Sequence, residues 1–250
     1  MLHFLKKNYK LCELIPDNYV DIHSHVLPGL DDGAKTTLES LNLVKGMRNL
    51  GFNQIIATPH IMSGVWENTE IEIKKSFNCL NGKISDSDKI CFAAEYMLDN
   101  FLIKKMNNQS LLCLKDKYLL VELSYLQPPI NLSELLFELQ LNGYKPVLAH
   151  PERYKYYFNN YKQLQKIKNS GCLFQLNLMS VVGYYGENTK SLATRLLRDR
   201  LIDFVGSDIH HTGHLEVFTK KFKLKEITEL ENAIKSNNIF QFRLFFSSSL

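Results

Sequence analysis

The chain has 250 residues, 45% apolar and 22% charged, which is enough to bury a core and excludes a disordered chain. Its 30 Lys and Arg against 26 Asp and Glu leave a formal charge of +4, too small and too dispersed for nucleic acid to be the main partner. The five cysteines (Cys12, Cys79, Cys91, Cys113, Cys172) are odd in number and form no C-x-x-C, which argues against a disulfide framework or zinc ribbon and for a reducing, cytoplasmic compartment.

No apolar run approaches the roughly 18 residues that cross a bilayer, so no transmembrane segment is expected. Residues 1–18 read as an N-terminal extension of weak pattern, at most a short helix across the bottom of the fold. Residues 19–250 read as one domain. Strands are expected at Tyr19 to His23, Gln54 to Thr58, Ile90 to Ala94, Tyr118 to Leu123, Pro146 to Ala149, Leu173 to Leu178 and Asp203 to Gly206. Helical segments alternate with them. Thr36 and Glu39 have capping-box spacing before Leu38, Leu41, Val44 and Met47, and Gly51 closes that helix. Asn131 and Glu134 open a second, with Leu135, Leu136 and Leu139 inward and Gly143 at its end. Tyr161, Leu164 and Ile167 mark a third, and Leu192, Leu196 and Leu197 a fourth. Alternating strands and helices predict an α/β fold, a barrel or parallel sheet. The run Lys220, Lys221, Lys223 and Lys225 reads as a solvated face, and the phenylalanine-rich Ile239 to Phe246 as a last element packed on the core.

The chemistry lies at the strand ends. His23 and His25 are two apart on the first strand, so both imidazoles face one side and reach one metal ion. Thr58-Pro59-His60, Ala94-Glu95, Val121-Glu122, Ala149-His150 and Ser207-Asp208-Ile209-His210 place ligand-type side chains at five further strand ends. In α/β barrels the C-terminal strand ends converge on one mouth. With Asp32, these make nine candidate ligands (His23, His25, Asp32, His60, Glu95, Glu122, His150, Asp208, His210), too many for one catalytic ion and suited to two or three. Imidazole and carboxylate without thiolate suit Mn²⁺, Fe²⁺, Co²⁺ or Zn²⁺ in an open site. Such a site carries net positive charge and favours a phosphate dianion.

The ordered motifs Asp-Ile-His-Ser-His…Asp-Asp-Gly-Ala, Thr-Pro-His, Ala-Glu-Tyr, Val-Glu-Leu-Ser, Ala-His-Pro-Glu-Arg-Tyr and Ser-Asp-Ile-His resemble the polymerase-and-histidinol-phosphatase (PHP) superfamily over about Tyr19 to His214. Within it, they are most similar to the manganese-dependent protein-tyrosine phosphatases of bacterial capsular and exopolysaccharide synthesis. The resemblance implies a distorted seven-stranded βα barrel and three ions. One would be held by His23, His25, Glu95 and Asp208, a second by Glu95, Glu122 and His150, and a third by Asp32, His60 and His210. It also implies catalytic roles for Asp208, His210 and Arg153, with Arg153 binding the substrate phosphate.

The resemblance further implies in-line attack on a phosphomonoester by hydroxide held between ions, the substrate being a phosphotyrosine protein such as a bacterial tyrosine kinase. Relatives tend to carry a second arginine beyond Asp-x-His, where this chain reads His210-His211-Thr-Gly-His214. His211 and His214 are candidates for a phosphate contact, and equally for supporting residues. No cysteine is followed six residues later by arginine, which excludes the cysteine phosphatase mechanism. Two alternatives are a PHP phosphatase of small molecules, of the histidinol-phosphate type, and a metal-bound scaffold without catalysis.

Overall fold

The computed structural model describes residues 7–85 and 89–242. After a 3-10 turn at Leu11–Glu13 come β1 (Val20–Asp21), α1 (Thr37–Asn49), β2 (Gln54–Ala57), β3 (His60–Ile61), α2 (Glu70–Asn81), β4 (Lys89–Phe92), β5 (Glu95–Met97) and α3 (Asn100–Asn108). The second half adds β6 (Tyr118–Glu122), α4 (Leu132–Leu141), β7 (Lys145–Ala149), α5 (Tyr161–Asn169), β8 (Leu173–Asn177), α6 (Leu178–Val182), α7 (Glu187–Arg198), β9 (Phe204–Gly206), α8 (Thr212–Val217) and α9 (Ile227–Ser236).

All strand pairs are parallel, in two sheets ordered β1-β2-β4 and β3-β5-β6-β7-β8-β9. The expected single seven-stranded barrel is thus corrected to nine short strands with no continuous closed ladder among the described residues. Each expected strand is present, and two are followed within two residues by a further short strand that was not expected, β3 after β2 and β5 after β4. Pro59, which has no N–H to donate, lies with Thr58 between β2 and β3, while Ala93 and Ala94 lie between β4 and β5. Single contacts span the seam between the outermost β1 and β9. Asp208 N–H donates to His23 C=O at 2.7 Å and His25 N–H to Ile209 C=O at 2.9 Å. Lower down, Asn237 Nδ2 donates to Val20 O (2.9 Å) and Val205 O (2.8 Å), so one side chain takes the place of missing ladder bonds.

Strand residues alternate between two cores. Val20, Ile22, Ile56, Leu120, Val147 and Phe204 enclose an inner cluster with Phe240 at its base. Ile55, Ala57, Leu119, Val121, Leu148 and Leu176 face the helices. In α1 the Thr36 side chain caps Glu39 N–H as expected, but the inward stripe is Leu43, Val44 and Met47, and Leu38 is 68% exposed. Three-residue steps drift around a helix of 3.6 residues per turn, so a stripe begun at Leu38 cannot stay on the buried face. In α4, α5 and α7 the expected apolar residues are buried. The capping box of α2, Thr69 with Glu72, marks a helix the apolar pattern does not announce. The four C-terminal lysines are exposed, and of Ile239 to Phe246 only Ile239 to Phe242 lie within the described residues.

Candidate metal centre

The strand ends bring all nine expected ligands to one place. Around His23 Nε2 stand His25 Nε2 at 3.2 Å, Glu95 Oε2 at 3.1 Å and Asp208 Oδ1 at 3.3 Å. His25 Nε2 lies 3.4 Å from the same two oxygens. His150 Nε2 meets the other Glu95 oxygen at 3.1 Å. His60 spans the cluster, its Nδ1 2.8 Å from Glu122 Oε1 and 3.1 Å from Glu95 Oε2, and its Nε2 3.6 Å from Asp32 Oδ1. His210 Nε2 reaches the same Asp32 oxygen at 3.3 Å.

Three histidines have their tautomer set from behind. His23 Nδ1 donates to Gln175 Oε1 (2.8 Å), His25 Nδ1 to Asp31 Oδ2 (2.7 Å) and His210 Nδ1 to the Asp208 carbonyl (2.9 Å). With the Nδ1 proton engaged behind, the neutral form of each ring turns an Nε2 lone pair toward the carboxylates. Two such lone pairs 3.2 Å apart, on His23 and His25, repel each other unless a cation lies between them. Donors about 2.0–2.2 Å from a shared ion are separated by about 3–3.5 Å, the spacing found here. Buried His60 Nδ1, Glu122 Oε1 and His150 Nδ1 make no hydrogen bond. The donor set fits divalent ions.

The electrostatics agree. Burial alone would raise the Asp208 and Glu95 carboxyls, but His23 beside both, with His210 at Asp208 and His60 at Glu95, holds them well below the usual carboxylate range. Burial and the neighbouring Glu95 push Glu122 up. Burial opposes a charged His60, yet Glu95 and Glu122 raise it to about 9. Burial and Arg153 push His150 down to about 4. His150 and Asp208 both adopt left-handed backbone (φ 37° and 53°), the local cost of turning these side chains back over the mouth.

Several supporting residues escape sequence reading. Asp31 accepts from His25 Nδ1, Gly33 N–H and His60 N–H, while its neighbour Asp32 is exposed toward His60 and His210. Adjacent acids in Asp-Asp-Gly give no sign of which faces inward. Gln175 and Asn177, two apart at the end of apolar β8, were a readable signal, since polar residues there face one side. Trp66 stacks on His60 (centroids 4.7 Å apart, 11° between planes) from a tight turn pinned by paired backbone bonds to Met62. Arg153 Nη1 donates to Asp208 Oδ2 at 2.5 Å. His214 is buried, and its Nδ1 accepts from the His210 backbone N–H at 3.2 Å. His211 is exposed, its ring against that of His214 at 3.9 Å.

A parallel β/α scaffold with a histidine and carboxylate cluster at its strand ends defines a protein built around divalent metal. The family model for capsular polysaccharide synthesis, CpsB/CapC, matches residues 19–226, and the chain belongs to that family. It is similar to the tyrosine-protein phosphatase YwqE of Bacillus subtilis strain 168, 32% identical over 211 residues that cover 83% of this chain and 81% of the relative. Crystal structures of YwqE and of CpsB from Streptococcus pneumoniae are described as unique metal-dependent tyrosine phosphatases. The match to them has a TM-score of 0.75 and 30% identity, covering 88% of this chain and 90% of that one. The histidinol phosphate phosphatase of Lactococcus lactis shares the fold, with a TM-score of 0.51 and 15% identity over 88% of this chain and 94% of that one.

Proposed function

We propose that the protein is a metal-dependent protein-tyrosine phosphatase of capsular or exopolysaccharide synthesis, acting in the cytoplasm on a phosphotyrosine protein such as a tyrosine kinase. The convergence of the His23, His25 and His210 Nε2 lone pairs on Glu95, Asp208 and Asp32 carries this reading. Three ions, Mn²⁺ favoured, would be held by His23, His25, Glu95 and Asp208; by Glu95, Glu122 and His150; and by Asp32, His60 and His210. When bound, they supply Lewis acidity to the phosphoryl oxygens and lower the pKa of coordinated water. Arg153 binds non-bridging oxygens through its planar fork of donors. The Asp208 oxygen facing His23 serves the cluster while its other oxygen holds Arg153, which fixes the phosphate relative to the donor set. The leaving phenolate is far less basic than an alkoxide, so protonation by a side chain matters less. Burial raises the thiols of Cys91 and Cys172 to about 12, which agrees with chemistry that uses no cysteine nucleophile.

The test is Mn²⁺-dependent hydrolysis of p-nitrophenyl phosphate by the wild type, His23→Ala and Asp208→Ala. Loss of about a hundredfold or more in both variants is expected. Equal rates in all three overturn the metal site, and faster turnover of histidinol phosphate than of a phosphotyrosine peptide overturns the substrate class.

A further inference from the structure

Arg153 sits in the short turn Pro151–Arg153 after β7, with its side chain 21% exposed at the edge of the cluster. A closed circuit of contacts surrounds it. Its Nη1 donates to Asp208 Oδ2, and that oxygen also accepts from Asn177 Nδ2 at 2.9 Å. Asn177 Nδ2 donates as well to the Tyr185 hydroxyl at 3.1 Å, and the Tyr185 ring lies 4.2 Å from Arg153 Cζ, returning to the start. The orientation of the Asn177 amide is not arbitrary. Its Oδ1 accepts from Met179 N–H at 2.9 Å at the start of α6, so the NH₂ end must point to Asp208 and Tyr185. Tyr125 adds a second aromatic surface, 5.2 Å from Cζ. A guanidinium over tyrosine faces, tied by one of its five N–H groups, keeps donors free in a fixed plane.

We propose that Asn177 and Tyr185 are positioning residues that hold the Arg153 guanidinium as a preset clamp for the oxygens of a phosphate dianion. The inference deepens the phosphatase reading and rests on it for the identity of the anion. A long arginine left to itself samples many rotamers and loses that freedom on binding; one already fixed by a circuit loses less. Neither residue needs to touch the substrate.

The probe is labelled inorganic phosphate in equilibrium dialysis with the Mn²⁺-loaded protein, beside KM and kcat for p-nitrophenyl phosphate. Tyr185→Leu is expected to weaken phosphate binding about tenfold and to raise KM by a similar factor, with bound metal per chain unchanged. Tyr185→Phe keeps the ring and loses only the Asn177 contact, so it should stay within about threefold of wild type. Asn177→Asp retains the acceptor for Met179 but removes both donors, and it should weaken phosphate binding as well. In an Arg153→Ala background, Tyr185→Leu should add no further loss, because its effect runs through the arginine. Unchanged phosphate binding in Tyr185→Leu, or full additivity with Arg153→Ala, overturns the clamp. A wild type that binds phosphate but leaves p-nitrophenyl phosphate intact overturns the phosphatase reading instead, and the dialysis series still decides the clamp.

Discussion

His25 donates its Nδ1 proton to Asp31 Oδ2 across 2.7 Å, and this contact decides which nitrogen of the ring is free. Asp31 is held ionised: burial would raise its carboxyl, but His25 and His60 keep it well below the ordinary range. Asp31→Ala should therefore release the ring and also orphan the His60 and Gly33 N–H groups. Loss of such a supporting carboxylate typically costs about 10–100-fold in metal affinity. Titration of the apo protein with Mn²⁺ measures it, and wild-type affinity in the variant refutes the orienting role.

Metal uptake should depend on pH with a defined sign. In the absence of an ion, Glu95 and Glu122 raise His60 to about 9, overcoming its burial. At neutral pH the entering ion must displace that proton, so apparent affinity rises as pH rises toward about 9 and falls as pH drops. Each displaced proton gives about tenfold per pH unit, and nearby carboxylates raise His23 and His25 against their burial in the same direction. Mn²⁺ titrations at about pH 6.5, 7.5 and 8.5 check the slope, and affinity independent of pH contradicts it.

Much of the centre is legible from residue type and strand position. Ligands at strand ends announce themselves because a β-strand reverses facing every residue and each strand stops at the same mouth. What stays hidden depends on three-dimensional pairing. Asp31 and Asp32 are indistinguishable in sequence, although one supports His25 from behind and the other faces His60 and His210. The strand count fails for a related reason. Two runs go on past their expected ends at Thr58 and Ala94: after a two-residue break each resumes as a further short strand, β3 or β5, in the other sheet.

Gly206 marks a close approach. A Cβ there would stand 2.6 Å from His23 Cβ and 2.6 Å from Gln175 Nε2, the group next to the oxygen that sets the His23 tautomer. Gly206→Ala should cost roughly 1–3 kcal/mol in stability, as overpacking does, and displace His23. Urea denaturation read together with bound metal per chain tests both effects. Wild-type values in both would show that the seam has room.

Thiol chemistry should be silent in the reaction. Cys79 is exposed, whereas burial raises Cys91 and Cys172 to about 12 and Cys113 to about 11. Brief treatment with iodoacetamide should alkylate Cys79 first and leave phosphatase activity intact. Mass spectrometry locates the adduct, and inactivation in step with modification would count against a metal-based mechanism.

Trp66 is the one indole in the sequence, and its ring stacks on His60. All tryptophan fluorescence of the protein therefore originates beside a single member of the donor cluster. An event that protonates, displaces or engages that imidazole alters the surroundings of the only indole, which excitation beyond the tyrosine absorption reports alone. The protein thus contains its own optical gauge of the centre, readable without a label.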